Sequence, residues 1–235
     1  MGTIQRFRIA SMDENPSGTR IFRLEPEDGT VPAFLPGQFA FIHLLDESGK
    51  SVDKRPYSIA SAPGERHMEF CIKMVNGRMT SKLELLKAGD MLGVEGPLGR
   101  FTYTGQPDAA FIAGGSGIAP FMSMLRHIAA KKLKGKFVLF YSSRTKDGIS
   151  YEKELKSLQQ ANPDIRVVIT LTREVPDGWA GECGRLNDGM IIKHTDDAKD
   201  FSWWVCGPME LINSMKACLA GMGVDPKKLE LEGWG

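Results

Sequence analysis

The order of apolar and turn residues changes character once along this chain, near residue 105, and this change limits the folds open to it. Residues 3–103 carry short apolar runs separated by turn signals such as PSG at 16–18 and PGE at 63–65. Such spacing is typical of the strands of a small antiparallel barrel. Residues 109–235 instead alternate apolar strands with runs of helical spacing, which predicts a doubly wound parallel sheet with helices on both faces.

The predicted elements of each half follow from this change of pattern. In the first half we expect strands at residues 4–10, 19–24, 39–45, 57–61 and 68–73, and a helix at 80–86. In the second half we expect strands at 109–113, 137–142, 165–171, 203–206 and 229–232, with helices at 118–133, 150–160 and 208–220. Pro208 suits a first helical turn and Gly221 a C-terminal cap. The predicted fold is an antiparallel β-barrel domain, residues 1–104, followed by an α/β domain with a five-stranded parallel sheet, residues 105–235.

Charge and cysteine usage argue against several classes of protein. The 30 basic and 29 acidic residues give a net charge of +1, which offers no general attraction to nucleic acid or to a membrane surface. The four cysteines, Cys71, Cys183, Cys206 and Cys218, form no C-x-x-C pair, so we expect no zinc or iron–sulfur site. No stretch approaches the ~20 apolar residues of a membrane span, and the first residues lack signal-peptide character. We therefore expect a cytoplasmic protein without membrane insertion or bound metal.

Two glycine-containing segments follow predicted parallel strands. The segment after the first strand is Gly114, Gly115, Ser116 and Gly117, and the one after the fourth is Cys206, Gly207, Pro208 and Met209. If the strand order is 3-2-1-4-5, these segments face each other across the crevice where such sheets bind ligands. Glycines let a ligand approach the backbone, and a helix start offers free N–H groups to a pyrophosphate. Taken alone, the first segment is also typical of a tight turn, and Cys206 of a small core residue.

The segment RPYS at residues 55–58 places a cation, an aromatic ring and a hydroxyl within four positions. The guanidinium of Arg55 could bind a pyrophosphate by charge-assisted hydrogen bonds. The ring of Tyr57 could stack on a flat heteroaromatic, and the hydroxyl of Ser58 could hydrogen-bond a ring nitrogen. The alternative is a solvated arginine beside a half-buried tyrosine, a common arrangement.

Taken together, the motifs of this chain resemble those of the ferredoxin–NADP reductase superfamily of flavoproteins. RPYS resembles that family's R-x-Y-S flavin motif, and the segment from Gly114 to Pro120 resembles its nucleotide loop. Further segments similar to family motifs are GRMT at 77–80, GPLGRF at 96–101, CGP at 206–208 and the terminal EGWG at 232–235. Their order and spacing match over nearly the whole length, which makes the combination far more specific than any single motif.

This resemblance implies a barrel that holds FAD and a second domain that holds a pyridine nucleotide. The residues it implies for FAD are Arg55, Pro56, Tyr57, Ser58, Gly77, Met79, Thr80 and Trp234. Those it implies for NAD(P)H are Gly114, Gly115, Ser116, Gly117, Arg144, Arg173, Cys206, Gly207, Pro208 and Met209. Ser58, Cys206, Glu232 and Trp234 are implied as catalytic, although a surface carboxylate and a terminal aromatic that clamps a helix remain alternatives for the last two.

The implied reaction is hydride transfer from NAD(P)H to flavin N5, followed by electron transfer to a separate acceptor. No cysteine cluster is present for a fused iron–sulfur domain, and ferredoxin or flavodoxin is the acceptor expected first. NADPH is expected over NADH because Arg173, with Arg144 and Arg185, could converge on a 2′-phosphate. Against this, DGW at 177–179 resembles a segment of NADH-using members. The alternatives are an electron-transfer subunit of a larger complex, a flavin reductase that uses flavin as substrate, and a redox-sensing module.

Overall fold

The computed structural model describes residues 3–234, in which two six-stranded sheets follow one another along the chain. The first sheet is antiparallel, with the order β4-β3-β6-β1-β2-β5. Its strands are β1 (Gln5–Asn15), β2 (Thr19–Pro26), β3 (Phe39–Leu45), β4 (Ser51–Ser58), β5 (Met68–Lys73) and β6 (Met91–Leu98). A bridge between Ile59 and Phe70 joins the chain just after β4 to β5, so the two end strands meet and close the predicted barrel.

The second sheet is built from parallel strands in the order β10-β9-β8-β7-β11-β12. Its strands are β7 (Asp108–Gly114), β8 (Lys136–Ser143), β9 (Ile165–Leu171), β10 (Glu182–Cys183), β11 (Ser202–Pro208) and β12 (Leu229–Trp234). Both faces of β7 are buried: Phe111 packs into the core on one face and Ile112 into the core on the other. A strand buried on both sides reads as a continuous apolar run, which explains why the sequence pattern identified this sheet.

Five α-helices connect the strands within residues 3–234. They are α1 (Arg78–Leu83), α2 (Ala119–Lys131), α3 (Glu152–Ala161), α4 (Asp188–His194) and α5 (Met209–Gly221). Helix α1 lies in the barrel half, where Met79 and Leu83 pack into the barrel core. A single 3-10 turn, Gly115–Ile118, precedes α2. No helix in residues 3–234 has the length and apolar run needed to cross a membrane.

The strand order 3-2-1-4-5, the condition under which the two glycine-containing segments face each other, is present as β9-β8-β7-β11-β12. Several element boundaries differ from the prediction. The sheet has a sixth, two-residue edge strand, β10, which is too short to give a periodic signal. Strand β4 begins at Ser51, where it pairs with β3, rather than at residue 57. The prediction missed this part of the strand because its exposed charged residues give no apolar alternation. Helix α1 spans 78–83 rather than 80–86. Gly221 lies inside α5, and Gly223, with φ +78°, takes the left-handed position beyond the helix end.

Candidate functional site

The two glycine-containing segments lie side by side at the carboxyl ends of β7, β11 and β12. Ala113 of β7 is in register with Cys206 of β11, so the first and fourth strands are neighbours. Cys206 is in turn paired with Glu232, and Pro208 with Trp234. The residues at the carboxyl ends of these three strands therefore share one edge of the sheet, the edge at which doubly wound sheets bind ligands.

Close backbone packing at this edge depends on glycine. A Cβ added to Gly117 would lie 2.3 Å from the carbonyl oxygen of Cys206 and 2.9 Å from Cη2 of Trp234. A Cβ on Gly114 would lie 2.7 Å from a methyl group of Leu211. These approaches let the turn before α2 lie directly on β11 and beside the ring of Trp234. The space beside the turn is too narrow for any larger residue at position 117.

The turn itself presents its backbone outward. Gly115 is exposed and adopts φ +55°, a left-handed conformation that favours glycine, and Ser116 is half-buried. The thirteen-residue helix α2 follows, with Pro120 in its first turn. The 3-10 turn runs directly into α2, where the Ala119 N–H donates to the carbonyl oxygen of Ser116 and Pro120 has no N–H. The first N–H groups of the 3-10 turn, with the helix dipole, are therefore the ones that suit an anion such as a pyrophosphate.

The barrel half meets this edge through the end of β4. The hydroxyl Oγ of Ser58 lies 3.5 Å from Oε2 of Glu232, a long hydrogen bond that joins the two halves across 174 residues of sequence. Burial raises the pKa of Glu232, and the hydrogen bond from Ser58 opposes this in part. A carboxyl with a raised pKa that faces a hydroxyl holds its proton more tightly than a solvated glutamate does.

Cys206 and Trp234 differ sharply in exposure. Cys206 is fully buried, and burial, with a smaller contribution from Glu232, raises the pKa of its thiol well above the usual range. Its sulfur is therefore a neutral packing group rather than a nucleophilic thiolate. Trp234 is 42% exposed, and its ring lies beside Gly117.

The RPYS segment forms the last residues of β4. Tyr57 is half-buried against the barrel core, and burial raises the pKa of its phenol to about 12. Arg55 and Pro56 are exposed. The guanidinium of Arg55 donates through Nη1 to the Lys54 carbonyl oxygen at 2.7 Å and to Asp53 Oδ1 at 3.2 Å.

The GRMT segment forms the start of α1 next to β4. Gly77 N–H donates to Thr80 Oγ1 at 3.3 Å, and Thr80 Oγ1 donates in turn to the carbonyl oxygen of Val75. Met79 is buried in the barrel core, so its side chain cannot contact a ligand and only its backbone can do so. These hydrogen bonds fix the turn that carries Arg78.

The arginines expected to contact the nucleotide lie at the ends of β8 and β9. The backbone N–H of Arg173 donates to the carbonyl oxygen of Arg144 at 3.0 Å, so these exposed residues lie next to each other. Arg185 follows Gly184, whose N–H donates to the carbonyl oxygen of Leu171 at the end of β9, and its side chain pairs with Glu210 at the start of α5. Arg144 and Arg173 are thus adjacent, and the side chain of Arg185 is engaged by a carboxylate.

Sequence reasoning missed the charged residues that support the site. Asp53 binds both Arg55 and Arg78. Arg126 of α2 joins the two halves through Glu69 of β5 and is also held by Glu154 of α3, in its own half. Asp53 could have been found, because it precedes Arg55 by two positions and so shares its face of the strand. Arg126 could not, because its partners lie 57 and 28 residues away.

These residues fit a dinucleotide on each side of the cleft. On the barrel side, two exposed guanidiniums, a half-buried ring and a hydroxyl suit the pyrophosphate and the flat ring system of FAD. On the sheet side, the turn at Gly114–Gly117 suits the pyrophosphate of a second dinucleotide. Residues 3–234 contain no cluster of three or more His, Cys, Asp or Glu side chains that could hold a metal ion.

Comparison with known proteins agrees with this division of the chain. The oxidoreductase FAD-binding domain family matches residues 7–103, and the oxidoreductase NAD-binding domain family matches residues 111–217. NADH–cytochrome b5 reductase 1 of Arabidopsis thaliana is 30% identical over 230 residues, which are 95% of this chain and 82% of that protein. The glycine betaine monooxygenase reductase subunit of Pseudomonas aeruginosa is 32% identical over 208 residues, 86% of this chain and 56% of that protein.

Solved structures share the same fold. The flavohem-like FAD/NAD-binding domain of nitric oxide dioxygenase from Vibrio cholerae superposes with a TM-score of 0.88 at 21% identity, over 98% of each chain. The chain spans about half the length of several curated relatives, 54% of one and 56% of two others. With both domain families matched in order and a relative aligned over most of its length, this chain belongs to the ferredoxin–NADP reductase-like family of FAD- and NAD-binding oxidoreductases.

Proposed function

We propose that this chain is a FAD-dependent reductase that takes a hydride from NADH and passes electrons to a separate redox protein. The observation that carries the proposal is the convergence of Ser58, Glu232 and Trp234 between the halves, next to the Gly117 turn. A hydroxyl, a carboxyl of raised pKa and an aromatic ring are the groups needed to position two rings and handle one proton.

On the barrel side, Arg55 would bind the FAD pyrophosphate, with the backbone around Pro56, Gly77 and Met79 and the hydroxyl of Thr80 completing the contact. Tyr57 would stack on the flavin ring, and Ser58 would hydrogen-bond near N5. The support is their position along the end of β4 and the start of α1, which are in contact. Bound FAD would supply the chemistry that side chains lack, by accepting a hydride and releasing its electrons one at a time.

On the sheet side, the backbone of Gly114, Gly115, Ser116 and Gly117 would hold the nucleotide pyrophosphate. Gly207, Pro208 and Met209 would border the nicotinamide, and the buried Cys206 would pack beneath it. Trp234 would cover the space between the halves and exclude water until nicotinamide displaces it. Glu232 would hold a proton at its carboxyl oxygen, for which its raised pKa suits it.

We propose NADH as the preferred nucleotide, in place of the NADPH expected from the arginines. Relatives that align over most of their length are named as NADH-dependent reductases, and Arg185 is occupied by Glu210. Glu174, beside Arg173, adds a carboxylate that would oppose a 2′-phosphate and suit a ribose hydroxyl. The adjacency of Arg144 and Arg173 favours NADPH as the second candidate.

The acceptor is proposed to be a separate protein that takes single electrons. The relatives include reductases named for cytochrome b5 and a monooxygenase reductase subunit. These names widen the expected acceptor from ferredoxin or flavodoxin to haem proteins and oxygenase components. A relay role inside a larger complex fits the same evidence when the acceptor is an oxygenase component.

The deciding experiment is an anaerobic absorption titration of the FAD-loaded protein with NADH and, separately, with NADPH. Fast bleaching of the bound-flavin bands by NADH supports the proposal, whereas faster bleaching by NADPH supports the second candidate. A protein that retains no FAD, or whose flavin neither nucleotide reduces, contradicts the proposal.

Two arginine variants provide a matched control for this titration. Arg55→Ala should weaken FAD retention, while Arg8→Ala should leave it unchanged. Both side chains are about half exposed on the barrel, but only Arg55 lies at the end of β4. If NADPH is preferred, Arg173→Ala should slow bleaching by NADPH and leave bleaching by NADH unchanged.

A further inference from the structure

A buried carboxylate lies between two exposed guanidiniums at the edge of the barrel. Asp53 Oδ1 is 3.2 Å from Nη1 of Arg55, and Asp53 Oδ2 is 2.8 Å from Nε of Arg78. The Asp53 side chain is only 3% exposed, whereas those of Arg55 and Arg78 are 53% and 71% exposed. The carboxylate is thus sheltered and the two cations face outward.

The backbone fixes this arrangement on both sides. Alternation along β4 places Asp53 and Arg55 on the same face, and the contact of α1 with β4 brings Arg78 to the other carboxylate oxygen. Lys54 N–H donates to Asp53 Oδ1 at 2.9 Å, which orients the carboxylate. The hydrogen bond from Arg78 lowers the pKa of Asp53 to about 2, so the carboxylate is charged throughout the working range of pH.

Each guanidinium keeps donors free for a ligand. A guanidinium has five N–H donors, and Arg78 uses Nε toward Asp53 while Arg55 uses Nη1. Without a shared anion, two neighbouring cations repel each other and sample separate rotamers. The shared carboxylate offsets that repulsion and orders both side chains before any ligand arrives.

We propose that Asp53 is a positioning residue that holds Arg55 and Arg78 as a single pyrophosphate-binding pair, an inference that rests on the proposed binding of FAD by Arg55. Flexible side chains lose rotamer freedom when they bind, and a pair already held in place loses less. Asp53 therefore raises the affinity for FAD although its own charge is negative, and it does so without contacting the ligand.

The test is the affinity of the flavin-free chain for FAD and for riboflavin, measured by quenching of flavin fluorescence. Asp53→Asn keeps the size of the side chain and removes its charge. We expect its Kd for FAD to rise about tenfold, and its Kd for riboflavin, which has no phosphates, to stay within a factor of two. Asp13→Asn, on an exposed part of β1, is the control for loss of one negative charge and should leave both constants unchanged.

A second measurement does not depend on substituting the buried residue. Arg55→Ala and Arg78→Ala each remove an exposed side chain and leave Asp53 its other cation. The double variant leaves the buried carboxylate without a cation, so chemical denaturation must first show that it is folded. If Asp53 holds the two arginines as one pair, their effects on FAD affinity are non-additive, and the second loss is several-fold smaller than the first. Strictly additive effects would overturn the inference, even if Asp53→Asn fails to fold.

The outcomes separate this inference from the proposed function. If the unsubstituted chain does not bind FAD, the proposed function fails. If it binds FAD and Asp53→Asn binds equally or more tightly, the proposed function stands and the inference is wrong, because Asp53 then only competes with the ligand for the arginines. A parallel loss of riboflavin affinity would show general damage to the barrel and would also overturn it.

Discussion

Two of the contacts between the halves of the molecule are built in opposite ways. In the arginine contact, Arg126 binds Glu154 at 2.6 and 2.7 Å and binds Glu69 and the carbonyl oxygen of Ala60 at 2.8 Å. In the serine–carboxylate contact, one 3.5 Å hydrogen bond joins Ser58 to Glu232. The first is a network in which Arg126 and Glu69 are largely buried and Glu154 is partly exposed, and the second is a long hydrogen bond beside an exposed tryptophan ring.

The difference separates the task of holding the halves from the task of binding between them. Despite burial, which lowers it, the hydrogen bond with Glu154 and the charge of Glu69 raise the pKa of Arg126 above its usual range. Its charge is therefore permanent, and the arginine contact does not open easily. The serine–carboxylate contact is a single long hydrogen bond, so breaking it when a ligand's ring binds costs little free energy. A strong contact can thus hold the two halves in place while the weak contact beside it marks where a ligand would bind.

Breaking the arginine contact should have the largest effect. Arg126→Ala leaves the largely buried Glu69 without its cation, and we expect unfolding to become easier by about 3 kcal/mol. Chemical denaturation of the flavin-free protein measures this. Arg8→Ala, which breaks an exposed pair with Glu25, is the control and should cost less than about 1 kcal/mol. Equal losses in the two variants would mean that the contact does not hold the halves together.

Filling the cleft edge should come next. Gly117→Ala adds a Cβ 2.3 Å from the carbonyl oxygen of Cys206, so we expect a loss of about 2 kcal/mol in the free energy of unfolding. Nucleotide binding should weaken with it, because the turn must move. Gly221→Ala provides the control, since its Cβ meets nothing within 4 Å and a helical alanine stabilises. Similar stability in both variants would show that the turn has room to spare.

Removing the ring beside the cleft should affect rate more than stability. Trp234→Ala deletes a half-exposed ring, so we expect little change in FAD retention and about a tenfold change in the rate of hydride transfer, with altered nucleotide preference. Stopped-flow reduction by NADH and NADPH measures both. Leu85→Ala, an exposed apolar residue outside the cleft, is the control. Traces that match the unsubstituted chain would leave Trp234 as a terminal packing residue.

The pH dependence of the serine–carboxylate contact should be the smallest effect. Because burial raises the folded pKa of Glu232, the folded chain binds this proton more tightly than the unfolded chain. As pH rises from the ordinary glutamate pKa to the raised one, this carboxyl lowers the stability of the fold. Glu232→Gln cannot titrate at this position and should not show this loss of stability. The difference in free energy of unfolding between the variant and the unsubstituted chain should therefore change over the pH range between the two pKa values. Parallel curves would show that Glu232 is effectively solvated.

Local patterns predicted much of this architecture. The turn signals of the first half and the strand–helix alternation of the second gave the barrel and the parallel sheet. The edge strand β10 was missed because two residues are too few to show a periodic pattern. The start of β4 was missed because its exposed charged residues obscure the alternation of apolar and polar positions. The roles implied for individual residues, from Arg55 to Trp234, stay predictions that the experiments above test.

The sequence by itself determined the elements of this protein, because periodicity, turn chemistry and motif order act over a few neighbouring residues. Only the tertiary structure decided which charges meet. Ser58 contacts Glu232, which lies 174 positions away in the sequence, Arg126 contacts Glu69, 57 positions away, and Asp53 contacts Arg78, 25 positions away. A charged side chain has many possible partners of similar chemistry, and the packing of strands and helices selects one by distance and burial. The pKa of Glu232 and the paired arginines are therefore consequences of the fold.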